Sequence, residues 1–82
     1  MAIAIRVTEA DNVVVLFEDV KGGETVTVHE TRDSYVARED IHKGNKMAIA
    51  PIKTGEAIIK YGIPIGLATA DAAVGELISA GN

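Results

Sequence analysis

Few of the 82 residues can do acid–base or nucleophilic chemistry. Histidine occurs only at His29 and His42. Neither has a second His, Asp or Glu at the spacing of the strong metal motifs, so each reads as a strand-end or loop residue in contact with water. Serine occurs at Ser34 and Ser79, in both cases without a neighbouring base to activate it. There is no cysteine, which excludes disulfides, thiolate metal sites and cysteine nucleophiles. No glycine-rich phosphate loop and no G-x-S-x-G elbow is present, and Gly22-Gly23 reads as a hairpin signal. On residue chemistry alone the chain offers no catalytic residue and no metal-ligand set.

Two lysines carry more information. Lys60 interrupts the apolar run Ala57-Ile58-Ile59-Lys60-Tyr61. Strict alternation places it on the opposite face from Ile59 and Tyr61. It is either a solvated lysine whose stem covers apolar surface or a cation aimed at an acid of a substrate or partner. Lys46 opens a strand just after Gly44-Asn45 and has the same two readings.

The elements that must position these lysines are short. Ile3 to Val7 alternates, Val13 to Phe17 is continuously apolar and Thr25 to His29 alternates again. Lys46 to Ile52, Ala57 to Tyr61 and Ile63 to Thr69 follow. Runs of this length, rich in Val, Ile and Thr and bounded by Gly, Asp, Asn or Pro, predict strands. Asp11-Asn12 suits a tight turn between the first two. Ser34 to Ile41 reads as a short strand with an irregular exit. Asp71 to Val74 has room for one helical turn with Asp71 as its N-cap.

A weak repeat runs through the chain. An apolar residue precedes a glycine by three positions at Val20 to Gly23, Ile41 to Gly44 and Ile52 to Gly55, and again at Ala72 or Ala73 before Gly75. Glu24, Glu56 and Glu76 follow three of these glycines. The pattern predicts a recurring turn, with the apolar residue anchored in the core and the glycine at positive φ. Glu would stay on the surface as the next strand begins. Four such turns imply a mostly-β, irregular fold with at most one short helical turn.

Composition bounds the function. A chain of 82 residues is read as a single domain, which buries roughly 60–65% of its unfolded surface. That leaves no depth for an enclosed pocket, and a free-standing enzyme is disfavoured. The net charge is −4 with no basic run, which argues against nucleic-acid binding. No apolar run approaches the ~20 residues of a membrane span, and the start of the chain does not read as a signal peptide. The expected location is the cytoplasm. With 48% hydrophobic residues but one Phe, two Tyr and no Trp, exposed edges and apolar patches are expected to be covered by a partner or a second copy. At least a homodimer is expected.

The sequence resembles a known family. A Gly-x-Lys turn at Gly44-Asn45-Lys46, then Gly55-Glu56, Ile59-Lys60-Tyr61-Gly62 and Ile65-Gly66 is similar to the N-terminal domain of altronate and galactarate dehydratases. It also resembles the small subunit of sulfolactate sulfo-lyase. Asp11-Asn12-Val13 and the Val20 to Gly23 turn fit as well. The resemblance implies an SAF-type β-clip fold over residues 1–82. It implies a much larger catalytic partner, expected as a separate large dehydratase subunit that removes water from a sugar acid. A divalent metal, iron or manganese, is implied in that partner, and no cofactor in this chain. The substrate-binding candidates are Lys46, Lys60, Asn45 and Asn82.

The departures matter. Asn45 stands where the family usually has His in its Gly-His-Lys turn, and Leu77, Ser79 and Gly81 stand where three further histidines are usual. Alternate strand residues share a face, so such imidazoles can act together on a metal or a proton. Asn, Leu, Ser and Gly cannot. The expectation is therefore an accessory, non-catalytic subunit. The alternative is a binding or structural module that recognises a partner protein or a small anion.

Overall fold

The computed structural model describes residues 2–29 and 31–78. Among these there are eight strands and no helix: β1 (Ala2–Ile5), β2 (Val13–Leu16), β3 (Thr25–Val28), β4 (Ser34–Val36), β5 (Lys46–Ala48), β6 (Ala57–Lys60), β7 (Ile63–Leu67) and β8 (Leu77–Ile78). Six form one sheet in the order β4-β3-β1-β2-β5-β8, while β6 and β7 form a separate hairpin. Within the large sheet only β1 and β3 run parallel. The many short strands and frequent reversals are those of a mostly-β SAF-type fold.

The sheet buries both of its faces in part. Ala2, Ala4, Val14, Leu16, Val26, Val28 and Met47 form one core cluster with the loop residues Val20, Ala37, Ile41 and Ile49. Val13, Ala48 and Ile78 face the other way and pack with Ile52, Ala68 and, from the hairpin, Ile58. β2 contributes to both clusters, which explains its unbroken apolar run. Alanines at these sheet positions let layers approach closely without aromatic side chains. Each fully buried Val, Leu, Ile or Met contributes about 1.5–3 kcal/mol.

The repeat is real and closer than the sequence suggested. Gly23, Gly44, Gly55 and Gly75 all take φ between +86° and +92°. In three turns the glutamate folds back on its own turn. The Lys21, Lys53 and Ala73 N–H groups donate to Glu24, Glu56 and Glu76 Oε1 at 2.8, 2.6 and 2.6 Å. These glutamates therefore brace the turns from within. In the remaining turn the Asn45 Nδ2 donates to His42 O at 3.1 Å.

The turns also work in pairs. Val20 and Ile41 exchange backbone hydrogen bonds, as do Ile52 and Ala72. The acid before each anchor caps the opposing turn. Asp19 accepts from Lys43 N–H, Asp40 from Gly22 N–H and Asp71 from Thr54 N–H, at 2.8, 2.9 and 2.8 Å. Pro51 occupies the fourth such place and has no acceptor in its side chain. The expected helical turn at Asp71 is thus not formed. Asp71 caps a partner loop, and Ala72 is held in a bridge with Ile52. Gly22-Gly23 serves one of these paired turns, with Gly23 N–H donating to Ala37 O at 2.7 Å.

Candidate functional site: a lysine pair between sheet and hairpin

Lys46 opens β5 directly opposite Val15 of β2 and Ile78 of β8. Cross-strand partners share a face, and Ile78 belongs to the core cluster that the hairpin covers. Lys46 therefore lies on the hairpin side of the sheet. Lys60 ends β6, two residues beyond the buried Ile58. Alternation sends it the same way as Ile58. The two strands thus converge two cations on the rim of one core.

The electrostatics agree with this placement. Burial of Lys46 pushes its pKa below the ordinary lysine value, and the neighbouring Lys60 ammonium pushes it further down. Among the described residues neither lysine has a carboxylate partner. The Lys60 Nζ sits 5.2 Å from the centre of the Tyr61 ring, within cation–π range. Two neighbouring ammonium groups are the kind of arrangement that can hold an anion by charge-assisted hydrogen bonds.

The hairpin tip is held in an unusual conformation. Tyr61 and Gly62 have φ of 57° and 76°, the left-handed pair of a two-residue I′ turn. A tyrosine there is strained by about 1–3 kcal/mol, which the surroundings must hold in place. Asp11 does so. Its Oδ1 accepts from Gly62 N–H at 2.7 Å and Thr8 Oγ1 at 2.8 Å, and its Oδ2 from Val7 N–H and Thr8 N–H at 3.1 and 3.3 Å. Asp11 is buried. Burial raises its pKa, but the hydrogen bonds from Gly62, Thr8 and Val7 outweigh this and hold it below the ordinary carboxylate value. Next to it, Asn12 stands in for a neighbouring strand. Its Oδ1 accepts from Ile59 N–H at 2.8 Å, and its Nδ2 donates to Ala57 O at 2.9 Å.

Asp11 and Asn12 are the positioning residues that sequence reasoning missed. They looked like ordinary turn formers, and they do make the β1–β2 turn. Their side chains also clamp β6 and its tip, 45 to 51 residues further on. Local turn rules give no sign of a partner so distant.

The other candidates separate from the lysines. The exposed Asn45 spends its amide on the His42 carbonyl. Leu77 pairs with Met47 and packs against the first core cluster, on the opposite face of the sheet from Lys46. Asn82, with Ser79 and Gly81, lies outside the described residues. His42 is exposed, 3.7 Å from Asp19. His29 lines an open cavity of about 310 Å³ with Ile3, Thr27, Val28 and Arg32 on the β3–β1 side of the sheet. No three His, Asp or Glu side chains converge among the described residues. These residues do not assemble a set fit for a divalent metal.

Residues 2–82 match the family model described as the altronate/galactarate dehydratase SAF domain. The chain belongs to that family. It is 37% identical over 78 residues to an altronate dehydratase of Bacillus subtilis (strain 168), covering 95% of this chain and 15% of that protein. It is 38% identical over 78 residues to an altronate dehydratase of Escherichia coli (strain K12), again 95% of this chain and 15% of the relative. This SAF domain therefore spans about 15% of the length of the curated relatives it matches. No helix among its described residues is long and apolar enough to cross a membrane.

Proposed function

We propose that this SAF domain is an accessory subunit of a sugar-acid dehydratase, completing the active site of a separate large catalytic subunit. Its contribution is to hold an acid group of the substrate between Lys46 and Lys60. The observation that carries this reading is the lysine pair itself: two neighbouring cations with no carboxylate partner among the described residues. On this reading the domain binds and orients the substrate while the large subunit does the chemistry. Any divalent metal belongs to the large subunit on this reading.

The test is dehydration of altronate or galactarate by the large subunit with and without this chain, measured as 2-keto acid release. The chain should be required. Lys46→Met and Lys60→Met should raise KM about tenfold or more while changing kcat less, the loss of one charge-assisted hydrogen bond worth about 1.5–3 kcal/mol. A large subunit that works equally well alone would end this reading.

A second reading is a non-catalytic structural or binding module. Leu77 and Asn45 favour it, because one is committed to the core and the other to its own turn. It predicts that the purified chain binds neither hexarate nor divalent metal and that the lysine variants leave dehydration unchanged.

A further inference from the structure

The β6–β7 hairpin breaks the usual rule that the outward side of an antiparallel ribbon is polar. Lys60 is the only polar residue in its two strands. Ile58 turns into the core. Ala57 and Ile59 alternate away from it, and their cross-strand partners Leu67 and Pro64 share that outward side. Leu67 on that side is 62% exposed, while Ile63, opposite Lys60, and the bulged Ile65 are 62% and 42% exposed. Exposed apolar side chains gathered on one ribbon in this way are what a partner could cover.

The ribbon is also built to refuse strand addition. Pro64 has no N–H to extend a ladder, and the register slips between Ile58 and Ile59, leaving Ile65 as the extra residue of a bulge. Prolines and bulges are the devices that blunt a free sheet edge. Whatever covers β7 therefore packs on its side chains.

Resting on the accessory-subunit reading above, we propose that the outward side of this hairpin is the seat for the large catalytic part of the dehydratase. Three observations select that occupant. In the matched relatives this domain accounts for only 15% of the chain, so the remaining polypeptide is its standing neighbour. A ribbon five residues long and two strands wide covers only about 17 by 10 Å, well short of the ~800 Å² per partner of a stable free-standing interface. That size suits a contact held within a larger assembly, where attachment elsewhere supplies the effective concentration. Finally, Lys60 ends β6 on the inward face of this same ribbon, so a partner seated on Leu67 and Pro64 holds the strand that carries one of the two lysines.

The absence of cysteine makes the test direct. Leu67→Cys is placed in the isolated chain and in the Bacillus subtilis altronate dehydratase with this chain replacing its matching 78 residues. Val36→Cys, at an equally open position on β4, is the control. Alkylation is followed by mass spectrometry of the labelled peptide. Leu67→Cys should react at least about tenfold more slowly in the chimera than in the isolated chain, since thiol reactivity follows access. Val36→Cys should not change. A parallel measurement uses the intact Bacillus subtilis enzyme with cysteines at the two aligned positions, so a chimera that does not fold leaves the question answerable. Equal rates for Leu67→Cys in both settings overturn the proposal. So does protection in the isolated chain that grows with its own concentration, which assigns the surface to a second copy. An active chimera with unprotected Leu67→Cys refutes the seat alone. Protection combined with lysine variants of unchanged KM refutes the substrate-binding reading alone.

Discussion

Replacing Asp11 by Asn tests how the hairpin is held over the sheet. All four partners of this buried carboxylate are donors: Val7 N–H, Thr8 N–H, Thr8 Oγ1 and Gly62 N–H. An amide of the same shape must aim its NH₂ at some of them. If the remaining oxygen keeps Gly62 and Thr8 Oγ1, the NH₂ meets the Val7 and Thr8 amides. Hydrogen bonds to a charged group are worth about 1.5–3 kcal/mol each and are not additive, so a net loss of about 3 kcal/mol is expected. In a domain of this size 1 kcal/mol moves Tm by about 4–8 °C, which gives a drop of roughly 12–24 °C. The pH dependence follows from the lowered pKa of Asp11. A carboxyl whose pKa is lower folded than unfolded stabilises the fold above its unfolded value and stops doing so as pH falls through the folded one. A carboxyl of this type ordinarily titrates near 3.8, so the gap between wild type and D11N should be full at neutral pH and shrink below about pH 4. Urea unfolding followed by far-ultraviolet circular dichroism measures it at both ends. Asp19 and Asp71 also have lowered values, each chiefly through a backbone hydrogen bond, but they titrate alike in both proteins and cancel. A variant within about 0.5 kcal/mol of wild type, the range of a neutral surface change, would refute the clamp. So would a gap that stays constant into acid.

Gly75→Ala should be far worse than Gly55→Ala, although both glycines have similar φ. A Cβ on Gly75 would lie 2.2 Å from Val36 O, whereas nothing lies within 4 Å at Gly55; thermal melts should show about 1 kcal/mol lost at Gly55 and several times that, or no folded protein, at Gly75. Lys60→Met should move the Lys46 pKa back up toward the ordinary lysine value, because one of its two depressing influences is removed; side-chain NMR titration of Lys46 reads this, and an unchanged value would show that the two ammoniums do not sense each other. Asn45→Glu should stabilise the domain by about 0.5 kcal/mol, the lower end for a hydrogen bond within the protein, by giving His42 N–H the acceptor that Glu24, Glu56 and Glu76 give their own turns. Chemical denaturation checks the sign.

Much of the fold was legible because it is written locally. β-Branched runs marked β1, β2, β3, β5, β6 and β7 to within a few residues, and the recurring apolar-to-glycine spacing marked all four turns. β8 was missed because Leu77–Ile78 is only two residues long and owes its strand state to pairing with β5. Asp71 was misread because an acid before a short apolar stretch caps a helix or an opposing loop equally well. The lysines could be named from Lys60 interrupting an apolar run and Lys46 following a turn. Their approach to each other depends on Asn12 pinning β6, a contact 47 residues apart in the chain, which no periodicity encodes. The separation of Leu77 from Lys46 follows from the register of β5 on β8, which only the paired structure fixes, and Asn45 is drawn off by its bond to the His42 carbonyl.

The reciprocal turns have a consequence for how the molecule comes together. Each loop of a pair takes its capping acid or its anchor bonds from a loop about twenty residues away, so neither is complete without the other. Asp19 caps the 41–45 loop and Asp40 the 20–24 loop; cutting the chain between them would strand both. Such interlocking gives no stable half-product. The domain should assemble in one concerted event, at the millisecond-to-second pace of folds dominated by distant contacts, and a partner should meet it either whole or not at all.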